Sequence, residues 1–512
     1  GNMMEDTPYE EPRGCWPRVF IYFVLLNETC FFCFSVKILS QASTFVIGFV
    51  STAFTGHLGK TQLASVALAI AVINVTGISV GAGLTLACDT LISQTFGSGN
   101  LKQVGVILQR GVLILLLACL PCAAILLNTE GILILFRQSR NVARLAQIYV
   151  NIFLPSLPAT FMYLLQSRYL QNQGIIWPQL ITGVIGNVVN AVMNYVFLFS
   201  LKLDVAGSGA ANAICQYFMA IFLFIYIYVK GIYKSTWSGW SAECLQEWGP
   251  FMWLAIPSML MLCLEWWVYE IGGFLAGIIS ESELAAQSAV YELVTLNYMI
   301  PLGIGATASV RVGSALGAGK IEQAKLSAKV PVVLIIITVC ISLQGMCGGV
   351  IRGAGKQTFG AVCNFLGYYF IGLPVGASLM FAAKMGILGF WTGLCLSAFI
   401  QATIFITFLC KLDWQKASTE VSTYLYFFFK QCRVVYYLSD SKGAEATVAE
   451  PVYENPDNSL QVQGQSNLTN TTEGKMLCTK QLIVRRGLTV VILLLIFSGG
   501  VVAQIFLDKK LT

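Results

Sequence analysis

The sequence contains little charge and almost no histidine. Asp, Glu, Lys and Arg together make up 11% of its 512 residues, whereas about 25% is usual in soluble domains. His57 is the only histidine, which argues against a histidine-built metal site or a histidine-dependent catalytic triad. No other pairing of a nucleophile with a base is visible. We therefore expect neither an enzyme nor a bound metal ion or organic cofactor.

Other signatures are also missing. Gly97-Ser98-Gly99 and Gly317-Ala318-Gly319 lack the following Gly-Lys-Ser/Thr of a phosphate-binding loop, so we interpret both as turns. The net charge of +6 is spread without a basic stripe, and nucleic acid is not expected as a partner. The sixteen cysteines have no paired zinc-type spacing, which indicates packing residues. Residues 1–13 are acidic and lack the basic start of a signal peptide.

The chain is instead rich in apolar runs. Hydrophobic residues make up 56% of it, and a helix of about 20 apolar residues crosses a bilayer. This predicts an all-α polytopic protein among membrane lipids. The predicted spans are 36–56, 65–88, 105–127, 146–169, 178–200, 206–229, 250–279, 286–310, 327–351, 360–383, 386–410 and 487–507. The apolar stretch 18–35, broken by Asn27-Glu28, is either interfacial or part of a long first helix.

The spans divide the chain into six regions. Lys and Arg in the loops favour a cytoplasmic N-terminus, and 439–477 has the composition of a disordered linker. The regions are an N-terminal segment (1–35), an N-lobe of six helices (36–230), an inter-lobe loop (231–249), a C-lobe of about five helices (250–411), a polar linker (412–479) and a C-terminal transmembrane helix (480–512).

The two lobes resemble each other in sequence. Phe96-Gly97-Ser98-Gly99 pairs with Leu316-Gly317-Ala318-Gly319, and Gly174 pairs with Gly355. Two parallel six-helix halves are a transporter architecture. However, 77 residues separate Gly97 from Gly174 and only 38 separate Gly317 from Gly355. The second half is therefore shorter by about 39 residues, the length of one helix and a loop, around the expected ninth and tenth helices.

This shortening leaves two topologies open. If 327–351 is one full span, everything after it is inverted, and the sequons at Asn467 and Asn470 lie outside the cell. If the segment only dips into the membrane and returns, the later helices keep their orientation. Glycosylation of either asparagine would indicate the first topology.

Carboxylates and aromatic residues interrupt two apolar runs of the second half. Ionised groups in a membrane cost at least a few kcal/mol and usually face a cavity or a partner. Rings beside a carboxylate suit a bulky organic cation. Ion pairs in helix packing are the alternative, but the two runs contain no Lys or Arg. The residues are Glu265, Trp266, Trp267, Tyr269, Glu270, Tyr291 and Glu292.

Several motifs carry a family resemblance. They are Gly56-His57-Leu58-Gly59-Lys60, Ala71-Val72-Ile73-Asn74-Val75-Thr76-Gly77, Ala87-Cys88-Asp89-Thr90-Leu91-Ile92-Ser93-Gln94, Ile256-Pro257-Ser258-Met259-Leu260-Met261-Leu262 and Ser309-Val310-Arg311-Val312-Gly313. Together they resemble the vertebrate multidrug and toxin extrusion (MATE) family. The resemblance covers residues 42–416 and resumes at 480–487.

The resemblance implies a proton-coupled antiporter of organic cations in the plasma membrane. It implies two lobes of twelve helices and a thirteenth helix at the C-terminus. The acidic residues of the family's seventh and eighth helices match Glu265, Glu270 and Glu292, and Asn74 and Gln287 stand in matching contexts. A further Glu and a His of the family's tenth helix have no counterpart here.

Exchange follows if one carboxylate holds either a proton or a cation, since burial disfavours its empty charged form. We expect Glu265 to be this group, with Trp266, Trp267 or Tyr269 as the ring wall. Glu270, five residues on, lies about 140° around the helix and does not share its face.

Two other functions remain possible. One is a transport-deficient variant that regulates or partners intact copies, and the other is a lipid flippase of the same superfamily. Aromatic–carboxylate pairing favours a cation over a lipid-linked sugar.

Two polar features stand apart from the carboxylates. Asn187, Asn190 and Asn194 are spaced as a stripe and predict a hydrogen-bonded helix seam. Asp89, near the end of a span, is either a capping or local hydrogen-bonding residue or part of a gate.

Overall fold

The structure, a computed structural model, describes residues 27–136, 138–279, 281–334, 341–425 and 479–511. It is built from helices, and short linking helices are given below by residue numbers only. The thirteen labelled helices are α1 (Asn27–Gly56), α2 (Lys60–Gly97), α3 (Leu101–Leu126), α4 (Arg140–Asn172), α5 (Trp177–Ser200), α6 (Asp204–Val229), α7 (Trp248–Ile279), α8 (Glu281–Gly317), α9 (Ile321–Leu334), α10 (Ile341–Gly353), α11 (Gln357–Ala382), α12 (Ile387–Lys411) and α13 (Thr479–Leu511).

Eleven stretches of the described chain are long and apolar enough to cross a membrane, which confirms the prediction of a polytopic all-α protein. The predicted span 327–351 differs from the others: it is represented by the shorter helices α9 and α10, with 335–340 outside the described residues. Residues 27–35 belong to α1, as one alternative expected. In the predicted linker, 414–425 are helical and 426–478 lie outside the described part.

A hydrogen-bonded seam joins α1 to α5, as the asparagine stripe predicts. Asn187 Nδ2 donates to the carbonyl of Ser43 at 2.7 Å. Ser51 Oγ donates to Asn190 Oδ1 at 3.1 Å, and Asn194 Nδ2 donates to the same oxygen at 2.8 Å. These bonds join the two helices directly where the hydrocarbon layer supplies no water, and Asn187 Oδ1, Asn190 Nδ2 and Asn194 Oδ1 have no partner in the described structure.

The inner ends of α2 and α8 touch, and this contact shows the internal repeat. A Cβ on Gly97 would overlap the carbonyl oxygen of Ser314, and a Cβ on Gly317 would overlap that of Gln94. Gly97 and Gly317 are 220 positions apart, as are Gln94 and Ser314. Equivalent residues of the two halves therefore meet across a pseudo-two-fold axis. We call this contact the inner crossing, because it adjoins the loops that are predicted to be cytoplasmic from their Lys and Arg content.

The same symmetry relates two longer interfaces between the lobes. Gly83 of α2 approaches Met259 of α7, and Gly303 of α8 approaches Ile38 of α1. Each glycine is 220 positions from the other. Each lobe thus packs one of its helices along the other lobe in an equivalent way.

Helices α9 and α10 leave the inner crossing and return to it. Helix α9 begins four residues after Gly317, on the inner side. At the end of α10, the carbonyl of Gly353 accepts a hydrogen bond from Gln94 Nε2 at 3.3 Å. Because α9 starts and α10 ends at the same side, α11 and α12 keep the orientation of an unshortened repeat.

The C-terminal helix α13 packs on the outside of the N-lobe. The guanidinium of Arg486 lies 4.3 Å from the centre of the Trp248 ring, and its Nε donates to the carbonyl of Leu245 at 3.0 Å. Near the other end, Asn128 Nδ2 donates to the carbonyl of Gly500 at 3.0 Å. Helix α13 therefore starts beside the inter-lobe loop, on the inner side.

We predict that Asn467 and Asn470 stay unglycosylated in human cells, because the described residues on both sides of them lie at the inner end. A glycosidase shift assay measures this. A matched variant with a sequon introduced after Leu511, at the end of α13 expected outside, serves as the positive control. Modification of the native sequons would contradict the returning path of α9 and α10.

We also predict that Gly317→Ala destabilises the protein by roughly 1–3 kcal/mol, the usual cost of overpacking, because the two backbones at the inner crossing must separate. The readout is the melting temperature of detergent-purified protein. Gly273→Ala is the control, since no atom lies within 4 Å of the added Cβ. Equal melting of both variants would show that the crossing is not tightly packed.

Candidate functional site

Helix α7 presents different residues to the two lobes. Met259, Cys263 and Trp267 are four apart and face α2, where Cys263 Sγ lies 3.6 Å from Ser79 Oγ. Val268 and Gly272 face the C-lobe, where Val268 packs in a buried cluster with Tyr368 and Trp391. The candidate residues of α7 therefore do not form one wall.

Glu265 is buried in the C-lobe and is bound by a tyrosine. It is 4% exposed, and the hydroxyl of Tyr298 on α8 donates to its Oε1 at 2.6 Å. A hydrogen bond of this length to a carboxylate is of the strong, charge-assisted kind. Within the described chain no Lys or Arg forms an ion pair with Glu265.

Aromatic rings continue from Glu265 through the C-lobe. The ring of Tyr269 lies 6.1 Å from that of Tyr291 and stacks on Trp391 of α12 at 5.9 Å. Trp391 Nε1 donates to Gln287 Oε1 at 2.8 Å, so the buried amide of Gln287 fixes the indole. Three helices thus supply a carboxylate and adjoining π faces, which can attract an organic cation.

Trp267 joins the lobes at an irregular turn of α2. Its Nε1 donates to the carbonyl of Val75 at 3.1 Å. Val75 belongs to the π-helical turn Asn74–Ile78, and such turns occur frequently at functional sites. The candidates Asn74 and Trp267 are therefore close together, on the N-lobe side of α7 and away from the Tyr269–Trp391 stack.

The remaining candidates on α7 and α8 differ in their surroundings. Glu270 is half-buried and has no hydrogen bond or ion pair to another described residue. Trp266 is half-buried beside it. Helix α8 passes through Glu292, but the side chain of Glu292 lies outside the described part of the structure.

Sequence reasoning missed Tyr298 and Trp391. A signal for Tyr298 was present: Gln287, Tyr291 and Tyr298 fall within about 40° of one another on a helix of 3.6 residues per turn, so they form one polar-aromatic stripe. Trp391 has no such signal, because it approaches from α12, more than 100 residues away in the chain.

Asp89 belongs to the interface between the lobes. It is buried, it accepts a hydrogen bond from Asn172 Nδ2 at 2.8 Å, and the Ser309 hydroxyl of the other lobe lies 3.5 Å from its Oδ2. Asp89 and Ser309 are 220 positions apart and so occupy equivalent places in the repeat. Asp89 therefore contacts both lobes near the inner crossing and does not cap the end of its helix.

The described residues contain no group of three His, Cys, Asp or Glu side chains that could hold a metal ion. The site offers single carboxylates, hydroxyls, amides and rings. Long helices in two pseudo-symmetric lobes, with a buried carboxylate and rings near their interface, define a polytopic membrane transporter built from two repeats.

Comparison with known proteins identifies the family. The family model MatE matches residues 37–196 and 257–342. Multidrug and toxin extrusion protein 1 of Danio rerio is 54% identical over 525 residues, covering 92% of this chain and 89% of that protein. The Homo sapiens protein of the same name is 45% identical over 527 residues, and the alignment covers 91% of each chain. The chain belongs to the multidrug and toxin extrusion (MATE) family.

Solved structures of MATE transporters have the same fold as this chain. The crystal structure of the eukaryotic MATE transporter AtDTX14 superimposes with a TM-score of 0.74 at 26% identity, covering 78% of this chain and 99% of that one. The Vibrio cholerae MATE transporter VcmN in its bent form has a TM-score of 0.64 at 16% identity and is covered to 99%. The second likeness concerns the fold alone.

We predict that Trp267→Phe weakens the association of the lobes by about 1 kcal/mol, the usual net contribution of one hydrogen bond, because the carbonyl of Val75 loses its donor from the C-lobe and keeps the Ser79 hydroxyl of its own helix. Thermal unfolding of purified protein measures the change. Trp266→Phe removes a similar ring volume without a described hydrogen bond and serves as the control. Equal destabilisation by both variants would show that the hydrogen bond contributes nothing.

Proposed function

We propose that the protein exports organic cations across the plasma membrane in exchange for protons, with Glu265 as the shared binding group. The observation that carries this proposal is the buried Glu265 carboxylate, held by Tyr298 and followed by the rings of Tyr269, Tyr291 and Trp391. The names of the relatives, multidrug and toxin extrusion proteins, support the direction and the kind of substrate.

Exchange follows from competition for one anionic group. A buried carboxylate without a counter-ion is unfavourable, because low-polarity surroundings do not solvate its charge. A proton or a monovalent cation relieves this cost, but both cannot do so at the same oxygen atoms. Arrival of a proton therefore releases the cation, and arrival of the cation releases the proton. An outward cation flux is then driven by an inward proton flux.

The surrounding residues have separate roles in this proposal. Tyr298 orients the carboxylate and stabilises its ionised form by donating to it. The rings of Tyr269 and Tyr291 attract the cation through their π faces, and Gln287 holds Trp391 in the stack. Asn74 and Trp267 lie on the N-lobe side of α7, away from these rings, and we assign them to the contact between the lobes.

Two further carboxylates belong to the proposed binding site. Glu270 is half-buried and unpaired in the described chain, so it is available to an entering cation or proton. The backbone of α8 places Glu292 one residue after Tyr291, and we assign it to the same group of acidic residues.

Alternating access requires one end of the passage to close at a time. The inner crossing closes the cytoplasmic side, since the backbones of α2 and α8 meet there without room for a side chain. We therefore assign this conformation to the state that has closed towards the cytoplasm, in which a cation is released outwards.

The direct test is Glu265→Gln, which keeps the shape of the side chain and removes its charge. The assay is the proton-driven uptake of a fluorescent pyridinium dye into proteoliposomes with an acidic lumen. We expect the variant to take up the dye at least tenfold more slowly than the unmodified protein, a factor equivalent to about 1.4 kcal/mol. Glu322→Gln is the control, because Glu322 is exposed and pairs only with Lys325 among described residues.

The outcomes separate the alternatives. Unchanged uptake by Glu265→Gln would remove this residue from the mechanism. Failure of the unmodified protein itself to take up the dye would favour a transport-deficient variant, for which the shortened α9–α10 segment is the structural reason. Lipid scrambling without dye transport would indicate a flippase.

A further inference from the structure

Arg352, in the last turn of α10, is a buried cation without a strong partner. Its side chain is 8% exposed, and its Nε has no hydrogen-bond partner in the described structure. Neither Glu265 nor another described carboxylate forms an ion pair with it. An unpaired buried guanidinium is costly, and an anion that reaches it removes part of that cost.

The guanidinium points back along α10, away from the inner end. Its Nη1 lies 3.6 Å from the position that a Cβ on Gly348 would occupy, one turn earlier in the helix. The same position lies 2.8 Å from Met261 Cε, one turn before Glu265 on α7, and a Cβ on Gly345, one turn earlier in α10, would lie 3.2 Å from the hydroxyl oxygen of Tyr298. On the other side, the backbone of Arg352 contacts Thr90, the neighbour of Asp89 in α2. Arg352 therefore lies between Glu265, the proposed cation-binding carboxylate, and the interface between the lobes.

The backbone of Arg352 belongs to the inner end itself. Its carbonyl oxygen accepts hydrogen bonds from Thr90 Oγ1 of α2 and from Gln357 Nε2 of α11, both at 3.1 Å. Gln357 Nε2 also donates to Thr90 Oγ1 at 2.8 Å. These bonds fix the Cα of Arg352, so that only the side chain is free to change its partner.

The two neighbouring anions are not equivalent. Asp89 already accepts a hydrogen bond from Asn172 and contacts Ser309. Glu265 accepts one bond, from Tyr298, and thus retains acceptor capacity for a forked donor such as guanidinium. Glu265 is therefore the anion that Arg352 can approach when no proton or substrate occupies it.

We propose that Arg352 is a positioning residue that acts as the built-in competitor of the transported cation at Glu265. This inference rests on the proposed function of Glu265. When the carboxylate is empty, the guanidinium moves towards it and neutralises it. When a proton or an organic cation binds, the guanidinium withdraws towards Asp89. Binding of the substrate therefore always includes displacement of Arg352, which weakens affinity and promotes release.

If Arg352 competes with the transported cation, removal of the arginine charge should strengthen binding of that cation, which is unusual for a change at a buried residue. We expect Arg352→Gln to bind the fluorescent pyridinium dye about tenfold more tightly than the unmodified protein and to exchange it more slowly. Equilibrium binding to purified protein in nanodiscs measures the affinity, and stopped-flow release measures the rate. Arg352→Lys should keep an affinity close to that of the unmodified protein, and Arg144→Gln is the control for an exposed arginine.

A double variant separates this inference from the function on which it rests. In Glu265→Gln protein, Arg352→Gln should no longer change the affinity, because the competition has lost its anion. If Glu265→Gln weakens binding but Arg352→Gln does not tighten it, the function stands and the inference is wrong. If Glu265→Gln leaves binding unchanged, the function itself fails. Arg352→Met, which keeps an unbranched apolar stem, repeats the measurement if the glutamine variant does not fold.

Discussion

The meeting of two helix backbones at the inner crossing is the constraint on which the rest of the molecule depends. Gly97 and Gly317 end α2 and α8 where no Cβ fits, so the two lobes are held in register at the inner crossing. Two further contacts between the lobes follow the same symmetry: the Gly83–Met259 contact, which matches Gly303–Ile38, and the approach of Asp89 and Ser309. A membrane supplies little hydrophobic driving force between helices, and close backbone packing is the usual replacement.

Much of this architecture could be predicted from the sequence. Apolar runs located eleven of the spans because a bilayer sets their length, and the glycine motifs revealed the repeat. The shorter spacing of the repeated motifs in the second half is also visible in the sequence, and the loss of a segment there stays a prediction. The path of α9 and α10 was not, because their return depends on Gln94 reaching the carbonyl of Gly353, a contact between residues 259 positions apart.

The candidate site was predicted less completely. Glu265 and Tyr269 could be singled out because charge and aromatic rings are conspicuous in an apolar run. Their partners Tyr298 and Trp391 come from other helices, and spacing along α7 contains no information about them. Trp267 was one of three rings considered for the wall of the site beside Glu265, because it is close to Glu265 in sequence. In the structure it lies on the other side of α7 and donates a hydrogen bond to the N-lobe. The sequence did not single out Arg352, because its burial depends on how the short α10 packs.

The π turn at Asn74–Ile78 has a mechanical consequence. Such a turn accommodates one residue more than an α turn, so α2 contains a spare residue between its outer part and the inner crossing. Moving this turn along the helix would rotate the segment that it passes by about 100° and shift it by about 1.5 Å, while both ends of α2 keep their positions. Trp267 of the C-lobe donates a hydrogen bond to the carbonyl of Val75 at this turn. The C-lobe therefore holds α2 at the place where such a rotation would begin.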